Sequence, residues 1–62
     1  MPGMPKQDGF AGISVGDKVE ALDRGRWRTG KVIEFDRLRF RVQFDDRSTD
    51  QWVTRAQLRP AR

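Results

Sequence analysis

One stretch near the middle of the chain alternates strictly between polar and large apolar side chains. Its members, in order, are Arg37, Leu38, Arg39, Phe40, Arg41, Val42, Gln43 and Phe44. Successive side chains of a β-strand point to opposite faces, so this pattern predicts a strand with one buried and one charged face. A slip of one residue would expose all four apolar groups, so we expect a firm register. The chain is therefore restricted to folds in which a half-buried strand covers a core.

A second run also places an arginine at every second position, at Arg24, Arg26 and Arg28. If both runs are extended, each directs three guanidinium groups off one side of a sheet. Lys31 would extend this charge if the strand keeps its phase past Gly30. A planar, permanently charged guanidinium suits phosphates, carboxylates and aromatic planes. The two runs predict a concentrated cationic surface on a small β-domain.

The chain has only 62 residues, which is enough for one domain. A domain of this size buries about 60% of its unfolded surface. It has neither cysteine nor histidine, so it lacks disulfides, thiolate zinc ligands and the commonest general base. It also has no glycine-rich phosphate loop. We therefore expect a protein that is not an enzyme and that uses no metal or other cofactor.

The charge balance points to the class of partner. There are 13 lysines and arginines against 9 acidic residues, a net charge of +4. Such an excess favours nucleic acid, acidic peptides or anionic membrane, and a soluble surface without a partner is the simplest alternative. No apolar run approaches the roughly 18 residues of a membrane span, and the N-terminus lacks the apolar stretch of a signal peptide. We expect a monomeric module of a larger protein.

Glycine and proline divide the chain into regions. They cluster in residues 1–12, which we interpret as a flexible tail or linker; 13–60 form the folded domain and 61–62 its end. Within 13–60, four or five short strands with tight turns imply an all-β protein. The predicted architecture is a small, strongly bent antiparallel barrel of five strands with one short C-terminal helical turn.

Two features refine the predicted barrel. Gly30 and the broken alternation at 33–35 predict a bulge and a sharp bend in the second long strand. The apolar positions of the strands predict the core: Val19, Val32, Phe35, Leu38, Phe40, Val42 and Leu58.

Five segments resemble a Tudor-like domain of the Royal superfamily. They are Val15-Gly16-Asp17-Lys18-Val19-Glu20-Ala21, Trp27-Arg28-Thr29-Gly30-Lys31-Val32-Ile33, Arg41-Val42-Gln43-Phe44-Asp45-Asp46, Asp50-Gln51-Trp52-Val53 and Leu58-Arg59-Pro60. They are similar to the family's V-G-D-x-V-x-A, W-x-x-G/A-x-V/I, V-x-F-x-D-G, D/E-x-W-V and L-R-P motifs. The resemblance covers about 13–60 and implies an SH3-like, five-stranded bent barrel in a nuclear, chromatin- or transcription-associated protein.

The resemblance also implies recognition of methylated lysine or arginine by an aromatic cage, through cation–π attraction. Asp23 stands where the family often has an aromatic residue, Arg28 stands where it often has tyrosine, and the turn 45–49 has no aromatic residue. The chain contains no tyrosine. The resemblance therefore implies an incomplete cage with an acidic wall, formed by Trp27, Phe44, Trp52, Asp23, Asp45 and Asp46.

Two principal functions follow. The first is binding of nucleic acid, with duplex DNA favoured over RNA, through Arg24, Arg26, Trp27, Arg28, Lys31, Arg37, Arg39 and Arg41. The second is reading of a methylated histone tail or other peptide through the incomplete cage. A third possibility is docking of an acidic or disordered partner on an edge strand of the barrel.

Overall fold

The computed structural model describes residues 9–61, which form seven strands connected by tight turns. The strands are β1 (Gly9–Phe10), β2 (Ile13–Ser14), β3 (Lys18–Asp23), β4 (Arg26–Asp36), β5 (Arg39–Phe44), β6 (Asp50–Thr54) and β7 (Leu58–Pro60). β1 and β2 form a hairpin, and the other five strands form an antiparallel sheet in the order β6-β5-β4-β3-β7. The all-β prediction is confirmed. No helix in 9–61 has the length and apolarity needed to cross a membrane.

The connection between β6 and β7 bends the sheet. These strands are its two edges, yet only the 3₁₀ turn Arg55–Gln57 joins them. In a flat sheet the edges would lie about 19 Å apart, at ~4.8 Å per strand. Three residues of 3₁₀ helix rise only about 6 Å. The sheet must therefore curl until its edges approach, as the predicted bent barrel requires.

Nine apolar side chains on the inner face of the curled sheet and on β2 form the core. All are at most 3% exposed: Ile13, Val19, Ala21, Val32, Phe40, Val42, Phe44, Val53 and Leu58. Phe35 packs beside them, with its ring centroid 4.9 Å from that of Phe40. Except for Leu38, the residues predicted for the core lie in it or against it.

The bend in β4 lies at Ile33. The β4–β5 register shifts between Val32 and Glu34, which leaves Ile33 without a partner. Gly30 has a different role, since a Cβ there would lie 2.6 Å from the Gln43 carbonyl oxygen. The broken alternation at 33–35 therefore indicates the bulge, whereas Gly30 is the site where the backbones of β4 and β5 approach closely.

Regular structure begins earlier in the chain than the sequence predicted. Gly9 and Phe10 pair with Ser14 and Ile13, so 9–12 belong to a hairpin and not to a tail. The guanidinium of Arg55 also donates a hydrogen bond to the Ala11 carbonyl oxygen at 3.2 Å. The rest of the predicted tail, 1–8, and the final residue lie outside the described residues.

The prediction that Leu38 is a buried strand residue is wrong, because Leu38 lies in the β4–β5 turn. Asp36 pairs with Arg39, so the turn consists of Arg37 and Leu38, with φ of 49° and 71°. A two-residue hairpin turn of this kind requires positive φ at both positions, which ends the strand alternation. Leu38 is therefore 55% exposed instead of buried. Arg37 lies in the turn and is not part of the strand ladder.

Replacing Leu38 by glycine is expected to give a protein about 0.5–1 kcal/mol more stable than replacing it by alanine. A residue with a Cβ in the left-handed region costs roughly 1–2 kcal/mol, and the greater backbone entropy of glycine offsets only part of the gain. Both replacements lose the packing of a leucine that is 55% exposed, so the difference between them reports the backbone alone. Urea unfolding would measure the change. Leu38→Ala is the control, since it truncates the side chain but keeps the strained conformation; a glycine variant less stable than the alanine variant would contradict the prediction.

Candidate nucleic-acid interface

Strand β4 places Arg26 and Arg28 on one face and Trp27 and Lys31 on the other. Cross-strand partners share a face, and Arg28 pairs with the buried Ala21. Arg28 therefore lies on the inner side, at the rim of the barrel. Trp27 pairs with Leu22 and lies on the outer side, as does Lys31. Arg26 and Arg28 therefore share a face, but Trp27 and Lys31, which were predicted to act with them, lie on the opposite face.

The second arginine run lies at the opposite end of β4, and one of its members, Arg41, is bonded to two acids. Arg41 donates to Glu34 at 3.3 Å and to Asp50 at 2.9 Å. Arg39 lies opposite Asp36 in the β4–β5 pairing. These groups are on the outer face, so the structure does not bring the two runs together on one surface.

Arg28 occupies the place where the sequence predicted a ligand-binding cage. Its guanidinium carbon lies 4.0 Å from the centroid of the Phe44 ring. Its terminal nitrogens donate to Asp23 at 2.8 Å, to Asp46 at 2.8 Å and to the Ser48 hydroxyl at 3.1 Å. We call Asp23, Arg28, Phe44, Asp46 and Ser48 the rim cradle. Its aromatic ring and acidic wall already hold a cation from the same chain.

Hydrogen bonds keep the rim cradle ionised. The bond to Asp23 is the largest of the effects that raise the pKa of Arg28 above its ordinary value. The pKa of Asp46 is lowered, first by the backbone N–H of Ser48, which donates to it at 2.9 Å, and then by the Ser48 hydroxyl and Arg28. A lowered carboxyl pKa stabilises the fold fully above the ordinary value of 3.8, and this contribution is lost at lower pH. The cradle is therefore a closed ion pair at neutral pH.

The three aromatic residues proposed for the cage face different surfaces. Trp27 is 37% exposed on the outer face of β4, and the Arg59 guanidinium lies 4.2 Å from the centroid of its ring. Trp52 lies on the outer face of β6, with Arg39 5.7 Å away. Phe44 is buried, and the guanidinium of Arg28 lies over its ring. The structure thus pairs each ring with an arginine and does not assemble a shared cage.

Positive charge on the outer side of the β3–β4 hairpin is compensated only in part, by Asp45, which lies near Lys18 and lines the same cleft as Lys31. Lys18 and Lys31 are direct cross-strand partners, and like charges in that position repel. Lys31 lines a shallow cleft with Arg47, and neither forms an ion pair among residues 9–61. Lys18 lies 3.8 Å from an exposed Asp45. We call Lys18, Trp27, Lys31 and Arg47 the basic face.

Sequence reasoning found only half of the basic face. Trp27 and Lys31 were predicted as contact residues, and Lys18 and Arg47 were missed. Lys18 is the first residue of β3, where the sequence pattern indicated only which apolar residues are buried. Arg47 lies in the polar turn between β5 and β6, and a turn has no periodic pattern that could indicate where its side chains point. Arg24 was predicted, and it lies at the tip of the β3–β4 hairpin with no ion pair in the described part of the chain.

Residues 9–61 offer charged and aromatic side chains that can bind a ligand. Among residues 9–61 no group of three histidine, cysteine, aspartate or glutamate side chains is placed to hold a metal ion. A curled antiparallel sheet of five strands is the architecture of Tudor-like binding domains. Residues 16–62 match the family model of the Agenet domain, and the chain belongs to that family. No curated protein is similar enough to the chain to count as a match.

The family assignment confirms the resemblance read from the sequence. Agenet domains are Tudor-like domains of the Royal superfamily, and they commonly serve as reader modules in chromatin-associated proteins. The family is one of binding domains and not of enzymes.

Proposed function

We propose that this Agenet domain binds nucleic acid through the basic face. The observation that carries the proposal is the direct opposition of Lys18 and Lys31, with Arg47 beside them. A sheet that had only to be stable would place opposite charges at such a pair. A phosphate between the two ammonium groups converts their repulsion into charge-assisted hydrogen bonds. Family membership supports a chromatin setting in the nucleus.

The rim cradle supports the same function indirectly. Arg28 offsets one of the two negative charges of Asp23 and Asp46, which would otherwise both face an approaching polyanion. Arg24 and Arg26 on the neighbouring β3–β4 hairpin form no ion pair among residues 9–61, although Arg26 lies opposite Asp23 in the β3–β4 pairing. Arg28 acts here as a positioning and neutralising residue, while the basic face and the hairpin tip make the contacts.

The peptide-reader alternative is less well supported. A methylated side chain could reach the Phe44 ring only by displacing Arg28 from its bonds to Asp23 and Asp46. A protein with a net charge of +4 also repels a basic histone tail at long range. These features favour a polyanion over a methylated peptide as the ligand.

Binding to a short DNA duplex is expected to depend steeply on salt. About three phosphate contacts give a slope of roughly −2.7 in log K against log salt, hence about a 40-fold loss between 50 and 200 mM. We expect a dissociation constant in the micromolar range or weaker at physiological salt, with little sequence preference. A titration followed by backbone NMR shifts at several salt concentrations measures both quantities. An affinity that does not change with salt would overturn the proposal.

A matched pair of double variants locates the contacts. Lys31→Gln with Arg47→Gln is expected to weaken binding at least about tenfold and to reduce the salt slope by about two, one for each phosphate contact. Arg37→Gln with Arg39→Gln removes the same charge at the other end of β4, and we expect less than about a threefold loss. Equal losses in both variants would show that only net charge matters, and the basic face would then have no special role.

A further inference from the structure

Trp27 is exposed and is held in place by a close arginine. It is 37% exposed and its cross-strand partner is Leu22 on the outer face. The Arg59 guanidinium lies over its ring at 4.2 Å, and Nε of Arg59 donates to Glu20 at 2.6 Å. An indole fixed in this way loses little side-chain entropy when a second planar group stacks on it. Arg59 covers part of the ring, so the preorganised platform for a planar group is the part of the indole that remains exposed.

The platform lies on the same strand face as the phosphate-binding groups. Trp27 and Lys31 are four residues apart on the outer side of β4, about 13 Å at ~3.3 Å per residue. Arg47 lies beside Lys31 in the same cleft. A flexible strand can thus place a base on the indole and its following phosphates on the two cations.

A duplex cannot use this arrangement fully. Its bases are stacked on one another, so their faces are not available to an indole on a convex sheet surface. Bases of a single strand can be splayed out and stacked on aromatic side chains. Resting on the proposed nucleic-acid function, we infer that the basic face binds single-stranded nucleic acid, with one base stacked on Trp27, in preference to duplex DNA. The sequence alone had favoured the duplex.

The test compares a 12-nucleotide oligothymidine with a 12-base-pair duplex at the same salt concentration. In a Trp52→Phe variant Trp27 is the sole indole, so its fluorescence reports stacking directly. We expect quenching by the single strand and a higher affinity for it than for the duplex. Trp27→Leu is expected to lose about tenfold in affinity for the single strand, and it should lose clearly less for the duplex, whose stacked bases cannot use the ring. Trp27→Phe, which retains a smaller ring, should be intermediate.

The matched control is Trp52→Leu. Trp52 has similar exposure and also lies near an arginine, but its surroundings on β5 and β6 are compensated by acids. Its replacement should leave both affinities unchanged. Tighter binding of the duplex, or single-strand binding unaffected by Trp27→Leu, would overturn the inference while the salt series and the Lys31/Arg47 variant still test the proposed function. Absence of binding to either probe would overturn both.

Discussion

Replacing Gly30 by alanine is expected to destabilise the protein by about 3 kcal/mol. The added Cβ would lie 2.6 Å from the Gln43 carbonyl oxygen and 2.7 Å from Cγ1 of Val42. The first contact is with backbone, so β4 and β5 must separate locally, and overpacking of this kind costs roughly 1–3 kcal/mol or more. A chain of 62 residues is stable by only about 3–9 kcal/mol, at 0.05–0.15 kcal/mol per residue. A large part of the total is therefore lost, and urea unfolding would measure it.

The control for Gly30 is Gly25→Ala, at the tip of the β3–β4 hairpin. Gly25 has a φ of 80° and open space where its Cβ would lie, so alanine there is strained only in its backbone, at about 1 kcal/mol. Gly30→Ala should be clearly the worse variant. If the two lose the same stability, the close approach of the β4 and β5 backbones is less demanding than the structure indicates.

Replacing Arg28 by alanine is expected to open the rim cradle to cationic ligands and to weaken the binding of nucleic acid. Asp23 and Asp46 lose their shared counter-ion, so we expect the affinity for nucleic acid to fall by roughly tenfold. The vacated Phe44 ring and its two carboxylates then resemble a partial cage for a methylated ammonium or guanidinium ion, with a dissociation constant in about the millimolar range. NMR titrations with trimethyl-lysine and with guanidinium chloride, observed at Phe44, would measure the gain.

Arg41→Ala is the matched control for Arg28→Ala. Arg41 also bridges two carboxylates, those of Glu34 and Asp50, but it stacks on no ring among the described residues. Its removal should create no site for a methylated cation and should change nucleic-acid affinity less. If the wild-type protein already binds trimethyl-lysine at Phe44, the cradle opens readily and the peptide-reader function is favoured instead.

The order of the strands and most of the core could be predicted because they depend on local periodicity. The alternation through Phe40 and Val42 is compatible with only one burial pattern, and both are fully buried. Leu38 was assigned to the core wrongly because the polar–apolar alternation of β5 extends back through the two turn residues, Arg37 and Leu38, which have positive φ. Nothing in the alternation distinguishes the last residue of a turn from the first of a strand.

The candidate site could be predicted only in part because it depends on pairing between distant segments. Arg28 was predicted to contact a ligand, but it is bonded to Asp46, which is 18 residues away. The repulsive pair of Lys18 and Lys31 exists only in the β3–β4 register. Arg47 joins this pair because the β5–β6 turn folds back beside β4.

By itself, the sequence determined an all-β barrel with a core of alternating apolar residues, an excess of positive charge and the family to which the chain belongs. Only the tertiary structure decided which charged side chains form ion pairs with other described residues and which do not. The physical reason is that burial follows from the period of one strand, whereas the effective charge of a side chain depends on which carboxylates the fold places within a few ångströms of it.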